Sequence, residues 1–273
     1  MGFSVNTNQG ALIALQNLNK TSSQLNVVQG RINTGLKVAG AKDDASIFAI
    51  AQKQRAELGG LSAVTSSLDR ATGALDVAIA GAEAISDLLI QLKEKAVAAK
   101  DSGNDTASRA LLNNDFQQLT AQINTIANNA TFNGKNALSS AGNDDIVAIV
   151  DGSATSSITI AAVTLDATAL SVAAAVITTS AAASGALGQI EAAITKVNAQ
   201  LSVLGAGAKR VEIVGAFVQK LSDAIEVGIG NLVDADLARE SANLQSLQVK
   251  QQLGLQALSI ANQAPGTVLS LFR

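Results

Sequence analysis

Few side chains in this chain are equipped for chemistry. The sequence contains no His and no Cys, which takes away the commonest general base, the thiol nucleophile and the usual zinc ligands. Carboxylates, lysines and hydroxyls remain. Three acidic pairs, Asp43-Asp44, Asp144-Asp145 and Asp234 with Asp236, have the spacing to hold a divalent cation or share acid–base work. Asp43-Asp44 stands just ahead of an apolar helical run, where aspartate is favoured as a cap and in the first turn. Asp144-Asp145 follows Gly142 and Asn143 in a polar loop, where turn chemistry accounts for it. Two glycine-rich stretches approach a phosphate-binding loop. In the first, Gly35 to Lys42, Ala41 intrudes before the lysine, no hydroxyl follows it, and no buried strand precedes it. The second, Gly205 to Arg210, lies inside a helical stripe. No catalytic constellation survives, so the sequence predicts a non-enzyme with no cofactor and no metal.

Composition agrees with that reading. Apolar residues make up 48% of the 273 positions, but aromatics only 2%. A globular enzyme usually fills its centre with large rings. Here Ala, Leu, Ile and Val spread the apolar surface in small pieces, which suits thin, elongated helix pairs. The net charge of −3 argues against nucleic acid as a partner, although the first 42 residues carry Lys20, Arg31, Lys37 and Lys42 and no acid. No run of about 18 apolar residues would span a membrane. The start lacks the basic segment, apolar stretch and cleavage site of a secretory leader, so any export is expected to use another route.

The elements come from periodicity. With Leu61 as heptad position a, the a series reads Leu61, Leu68, Leu75, Ala82, Leu89, Ala96 and the d series Val64, Ala71, Ala78, Ile85, Leu92, Ala99. An unbroken 3.5-residue repeat predicts one long helix with a single seam. A second stripe runs Leu112, Phe116, Leu119, Ile123, Ile126, Ala130. A third runs Ile190, Val197, Leu204, Val211, Val218, Ile225, Leu232, with a companion row of Leu187, Ile194, Leu201, Ala208 and Gly215. Three such segments make a slender bundle, and the polar stretch from Ala99 to Ser108 reads as the turn between the first two. Between Thr131 and Gly185 the pattern changes. Alternation in Asp144–Asp151 and Ser157–Leu165, with a Gly-Ser-rich stretch between, predicts a β-hairpin or small strand cluster, the natural place for variation and solvent exposure.

The two ends repeat the helical theme more weakly. The N-terminal stripe is Ala11, Leu15, Leu18, Leu25, Val28, Ile32; the C-terminal one is Val233, Leu237, Leu244, Leu247, Leu258, Ala261. A glycine-containing break at Asn33-Thr34-Gly35 closes the first. Helices of this kind are marginal alone in water, and pairing two of them helps little. The ends need further copies to pack against.

The residues at these ends resemble the bacterial flagellin signatures. At the front, SVNTNQGALIALQNLN and RINTGLKVAGAKDDASIFAIA carry the likeness. At the back it is carried by NLVDADLARESANLQSLQVKQQLGLQALSIANQAPGTVLSLFR, with its single proline, Pro265. The resemblance implies a structural subunit that polymerises into the extracellular flagellar filament and serves swimming motility. It implies a mainly α fold, a long coiled-coil-like bundle with paired terminal helices and a small β-hairpin region. Residues 1–34 with 233–273 would form the inner filament core, 43–130 with 186–232 the central bundle, and 131–185 the variable surface. Assembly would bury Leu12, Leu15, Leu18, Leu25, Val28 and Ile32 against Val233, Leu237, Leu244, Leu247 and Leu258, with Leu269, Leu271, Phe272 and Arg273 completing the interface. Open, heterologous contacts of that kind generate a helical homopolymer. The implied partners are other copies, a flagellar export chaperone, the filament cap and hook-associated proteins, with type III export and no cleavable leader. Ser153, Thr155, Ser156 and Ser157 offer hydroxyls to O-linked sugars. The nearest alternative is a hook–filament junction protein with similar ends. From another class, a signalling coiled coil would need a sensor or tether that the sequence does not display.

Overall fold

The computed structural model describes residues 7–270, and their side chains as far as residue 263. The chain divides into two compact units, Glu57–Asp223 and the remainder on either side of it.

In the central unit the helical seams appear where the periodicity puts them. Helix α2 (Ala45–Lys100) buries all twelve of its heptad positions from Leu61 to Ala99, none more than 4% exposed. Leu75, Ile85, Leu89 and Leu92 are wholly enclosed. Helix α3 (Thr106–Asn129) contributes Phe116 and Ile123. Asp105 caps its start, accepting from the Ser108 amide at 2.7 Å. Arg109 closes the end of α2 by donating to the carbonyls of Ala99 and Asp101, satisfying acceptors that a helix terminus leaves open. The turn therefore falls inside the polar stretch read from the sequence.

Helix α4 (Ser180–Val233) buries Ile190, Val197, Leu204, Val211 and Val218. Its companion row differs from expectation. Leu187, Ile194 and Leu201 are half-exposed, and the fully buried neighbours are Ala186, Ala193 and Gly207. Small residues win there because the β region presses close. A Cβ on Gly207 would stand 3.0 Å from Ile160 Cδ1. The glycine-rich stretch from Gly205 to Arg210 is thus helix interior and a packing notch, not a loop.

Strands β1 (Thr131–Phe132) and β2 (Lys135–Asn136) pair through a two-residue turn at Asn133 and Gly134, both with positive φ, as tight hairpins require. Strands β3 (Ile146–Ile149) and β4 (Ser157–Ile160) pair antiparallel, with Ile146 opposite Ile160 and Ala148 opposite Ile158. Those four side chains point inward. Asp151 organises the tip. Its carboxylate accepts from the Ser153 and Thr155 amides and, at 2.6 Å, from the Thr155 hydroxyl. The Thr155 hydroxyl bond, helped by Ser156, lowers its pKa to about 2.

The stretch after β4 is irregular yet buried. Val163, Leu165, Ala167, Leu170, Val172, Ala175 and Ile177 are all below 5% exposure. Outside a regular ladder its backbone needs other partners: the Val163 and Leu165 amides donate to the Ala137 and Leu138 carbonyls, and α3 supplies more. Asn124 accepts from the Ala167 amide, Asn113 accepts from the Ile177 amide, and Gln117 donates to the Ala175 carbonyl. Asn136 ties α3 to this region with four bonds, donating to Ala127 and Asn128 and accepting from Leu138 and Ser139. At the hairpin tip, residues 152–157 are all exposed.

Candidate self-assembly interface

The terminal unit is built from two helices and a short packed joint. Helix α1 (Gln9–Thr34) starts at Asn8, whose side chain accepts from the Ala11 amide, and ends at Gly35 with φ 70°. That left-handed turn frees the Gly35 carbonyl to accept from the Ala235 amide at 2.8 Å. The Lys37 and Val38 amides both donate to the Val233 carbonyl. Val38, Ala51, Ile229 and Val233 form a small core, with Ile47 and Phe48 against it. Two of the three acidic pairs serve this joint, whereas Asp144 pairs with Lys135 and Asp145 accepts from the Ala162 amide in the β region. Asp44 accepts from the Ser46 and Ile47 amides at the start of α2, and Asp43 from Ala39 and Gly40. Asp236 accepts from Ala238 and Arg239 at the start of helix α5 (Leu237–Ser270). Among the described residues no group of three or more His, Cys, Asp or Glu could hold a metal.

Helices α1 and α5 pack on each other along a thin apolar line. Leu25, Val28 and Leu247 are buried, with Ile32 and Leu244 partly so. Further along, Leu18 approaches Gly254, where a Cβ would meet Leu18 Cδ1 at 3.3 Å. Asn8 donates to the Ala261 carbonyl at 2.6 Å. One ion pair crosses the line: Arg31 Nη1 donates to Glu240 Oε1 at 3.2 Å. Glu240 is only 8% exposed, and among the described residues neither Arg31 Nε nor Glu240 Oε2 has a hydrogen-bond partner. Beside the pair runs a groove of about 370 Å³, floored by Val28 and Leu247 and edged by Ser23, Gln24, Asn243, Ser246 and Lys250.

The outer faces of this pair are apolar and uncovered. On α1, Leu12, Ile13, Leu15 and Val27 lie between 44% and 59% exposed; on α5, Leu237, Val249, Leu253, Leu255 and Ile260 lie between 49% and 70%. So many large apolar side chains left in water on one helix pair mark a candidate interaction site. Residues 5–143 match the model of the bacterial flagellin N-terminal helical region, and residues 187–272 match that of the bacterial flagellin C-terminal helical region.

The chain belongs to the bacterial flagellin family.

Flagellin FljM of Caulobacter vibrioides is 48% identical over 281 residues, covering 99% of this chain and 98% of that one. A flagellin of Brucella melitensis is 36% identical, covering 99% of both. The crystal structure of Bacillus cereus flagellin shares the fold alone, with a TM-score of 0.51 and 21% identity over 56% of this chain and 88% of that one. As a flagellin, the chain is a structural subunit of the extracellular flagellar filament, and relatives alike from end to end favour that over a hook–filament junction component. Among the described residues no helix is long and apolar enough to cross a membrane.

The residues singled out in the sequence fall into three groups. Leu12, Leu15 and Leu237 are exposed; Leu18, Ile32, Leu244 and Leu258 are half-buried; Leu25, Val28, Val233 and Leu247 are already covered within one subunit. Leu271, Phe272 and Arg273 lie outside the described residues, as does the side chain of Leu269. Sequence reasoning passed over Ile13, Val27, Val249, Leu253, Leu255 and Ile260, because they sit off the heptad stripe. At 3.6 residues per turn, Ile13 and Val27 on α1 and Val249, Leu253 and Ile260 on α5 fall opposite the stripe. That second set was the signal that could have found them, whereas Leu255 lies on the stripe's own side.

Proposed function

We propose that the flagellin subunits assemble by covering the apolar face that α1 and α5 leave in water. In this reading Leu25, Val28 and Leu247 shape the pair within each subunit, and Val233 packs in the joint beside it. Leu12, Leu15 and Leu237, with Leu253 and Ile260, meet neighbouring copies. Leu18, Ile32, Leu244 and Leu258 are shared between the two, and Leu269, Leu271, Phe272 and Arg273 take part in assembly as well. What carries the reading is the imbalance on the pair itself: three buried apolar side chains hold it together, while nine large ones stand in solvent. Hydrophobic burial is the dominant favourable term in association, and a contact between unlike faces propagates without closing.

Finer assignments follow from the same reading. The export chaperone, filament cap and hook-associated proteins engage these terminal helices. Export follows the flagellar type III route, the role is structural and not enzymatic, and nucleic acid plays no part. The hairpin tip is the site of any O-linked sugar. There Ser153 and Ser157 are better placed than Thr155 and Ser156, whose hydroxyls engage Asp151. Seeded sedimentation of Leu253→Ser tests the central point. An exposed position tolerates the change, so helix content holds while pelleting falls; a wild-type pellet would count against the interface.

A further inference from the structure

The central unit carries two more uncovered rows, and they differ in sign. On α2, Asp69, Asp76, Glu83, Asp87 and Glu94 recur at steps of seven, seven, four and seven residues. At 3.6 residues per turn they fall within a stripe roughly 40° wide and about 37 Å long. All five are exposed. The salt bridges of this part of α2 use other residues, Lys93 with Glu191 and Lys95 with Asp115. On α4, Val203, Ala206, Arg210, Ile213, Phe217 and Lys220 alternate steps of three and four, the spacing of a coiled-coil seam. They too are all exposed, Ile213 by 66% and Phe217 by 62%. No acid lies in that row. The acids nearest to it are engaged elsewhere, Glu212 by Lys209 and Asp223 by Gln219. Among the described residues Arg210 and Lys220 have no acidic partner.

The geometry points to a second, lateral contact in the filament, in which the α4 row of one copy lies along the acidic α2 stripe of the next. Like charges directly opposed repel, so the α2 stripe excludes its own kind and prefers a cationic neighbour. Ile90 and Val97, 58% and 52% exposed near the end of the stripe, give Ile213 and Phe217 apolar surface to meet. The contact joins unlike faces and so propagates. It rests on the filament-subunit reading but uses none of the terminal helices.

Charge reversal in the full-length chain tests it. One variant carries Glu83→Lys and Asp87→Lys, a second Arg210→Glu and Lys220→Glu, a third all four changes. Each face reversed alone should raise the critical concentration for seeded polymerisation about tenfold, with helix content unchanged by circular dichroism. The third variant should return to near wild type, and an equimolar mixture of the first two should co-polymerise although neither does so efficiently alone. Single-face variants that assemble like wild type would overturn the contact. So would a four-fold variant that stays as impaired as the single-face ones. Failure of the wild-type chain to polymerise would strike the filament reading itself, which the Leu253→Ser comparison addresses separately.

Discussion

Replacing Leu247 by Asp sets a buried charge against a core of only three buried side chains. Leu247 is 8% exposed and packs with Leu25 and Val28, with Ile32 and Leu244 around them. Losing the leucine removes roughly 1.5–3 kcal/mol of apolar burial. An unpaired carboxylate in its place adds several kcal/mol more. Arg31 is already held by Glu240, and Lys250, three residues on at the edge of the same groove, offsets only a few tenths of a kcal/mol as a solvent-facing neighbour. The change can relax only by parting α1 from α5. Local units open at free energies well below that of the whole protein, so a loss of about 3 kcal/mol there speeds amide exchange roughly a hundredfold. Hydrogen exchange resolved by peptide is the assay. Amides of α1 and α5 should lose protection, those of α3 and the central part of α2 should keep theirs, and seeded pelleting should vanish. Protection of α5 at the wild-type level, or filaments in wild-type yield, would refute the reasoning.

Further substitutions probe single contacts. Glu240→Ala strips Arg31 of its partner and should lower the stability of the α1–α5 pair by about 1–2 kcal/mol, read as faster exchange confined to those helices. Gly59 and Gly60 are neighbours with opposite prospects. A Cβ on Gly59 meets nothing within 4 Å, whereas one on Gly60 would stand 2.8 Å from the Gly152 carbonyl oxygen. Gly59→Ala should therefore raise the melting temperature through a gain of about 0.4–1 kcal/mol. Gly60→Ala should lower it, since forcing backbone apart costs about 1–3 kcal/mol against a helix-propensity gain near 1; equal shifts would contradict the packing. The Asp151 carboxylate, held at about 2 by the Thr155 hydroxyl, supports the hairpin tip above the ordinary aspartate range near about 3.9. That support is lost as pH falls through the folded value. Its titration by NMR should have its midpoint near 2, and a midpoint near the ordinary value would show the tip to be unbound.

Helices were legible wherever apolar residues were large and regularly spaced. Every heptad position of α2 from Leu61 to Ala99 is buried, because a long seam satisfied within one molecule leaves its period in the sequence. Break points were legible too: Gly35 ends α1 and Asp105 begins α3, where backbone geometry restricts the residue types. The second face of α4 was not, since Ala186, Ala193 and Gly207 are buried for being small and carry no hydrophobic signal. Nor was the buried run from Val163 to Ile177, whose order comes from amides on α3 distant in sequence. For the interface, the stripe showed which residues hold α1 to α5. The residues facing outward, such as Leu253 and Ile260, became visible only once the pair's own contacts were known.

Assembly is expected to cover the apolar side chains that the α1–α5 pair leaves in water. Hydroxyl-radical footprinting of monomer and filament, read at Leu12, Leu253 and Ile260, addresses this directly. All three, exposed by 57%, 58% and 70% in the single chain, should lose reactivity on polymerisation, while Leu111, 69% exposed on α3, serves as a comparison outside the pair. Filaments in which those three side chains react as fast as in the monomer would contradict it.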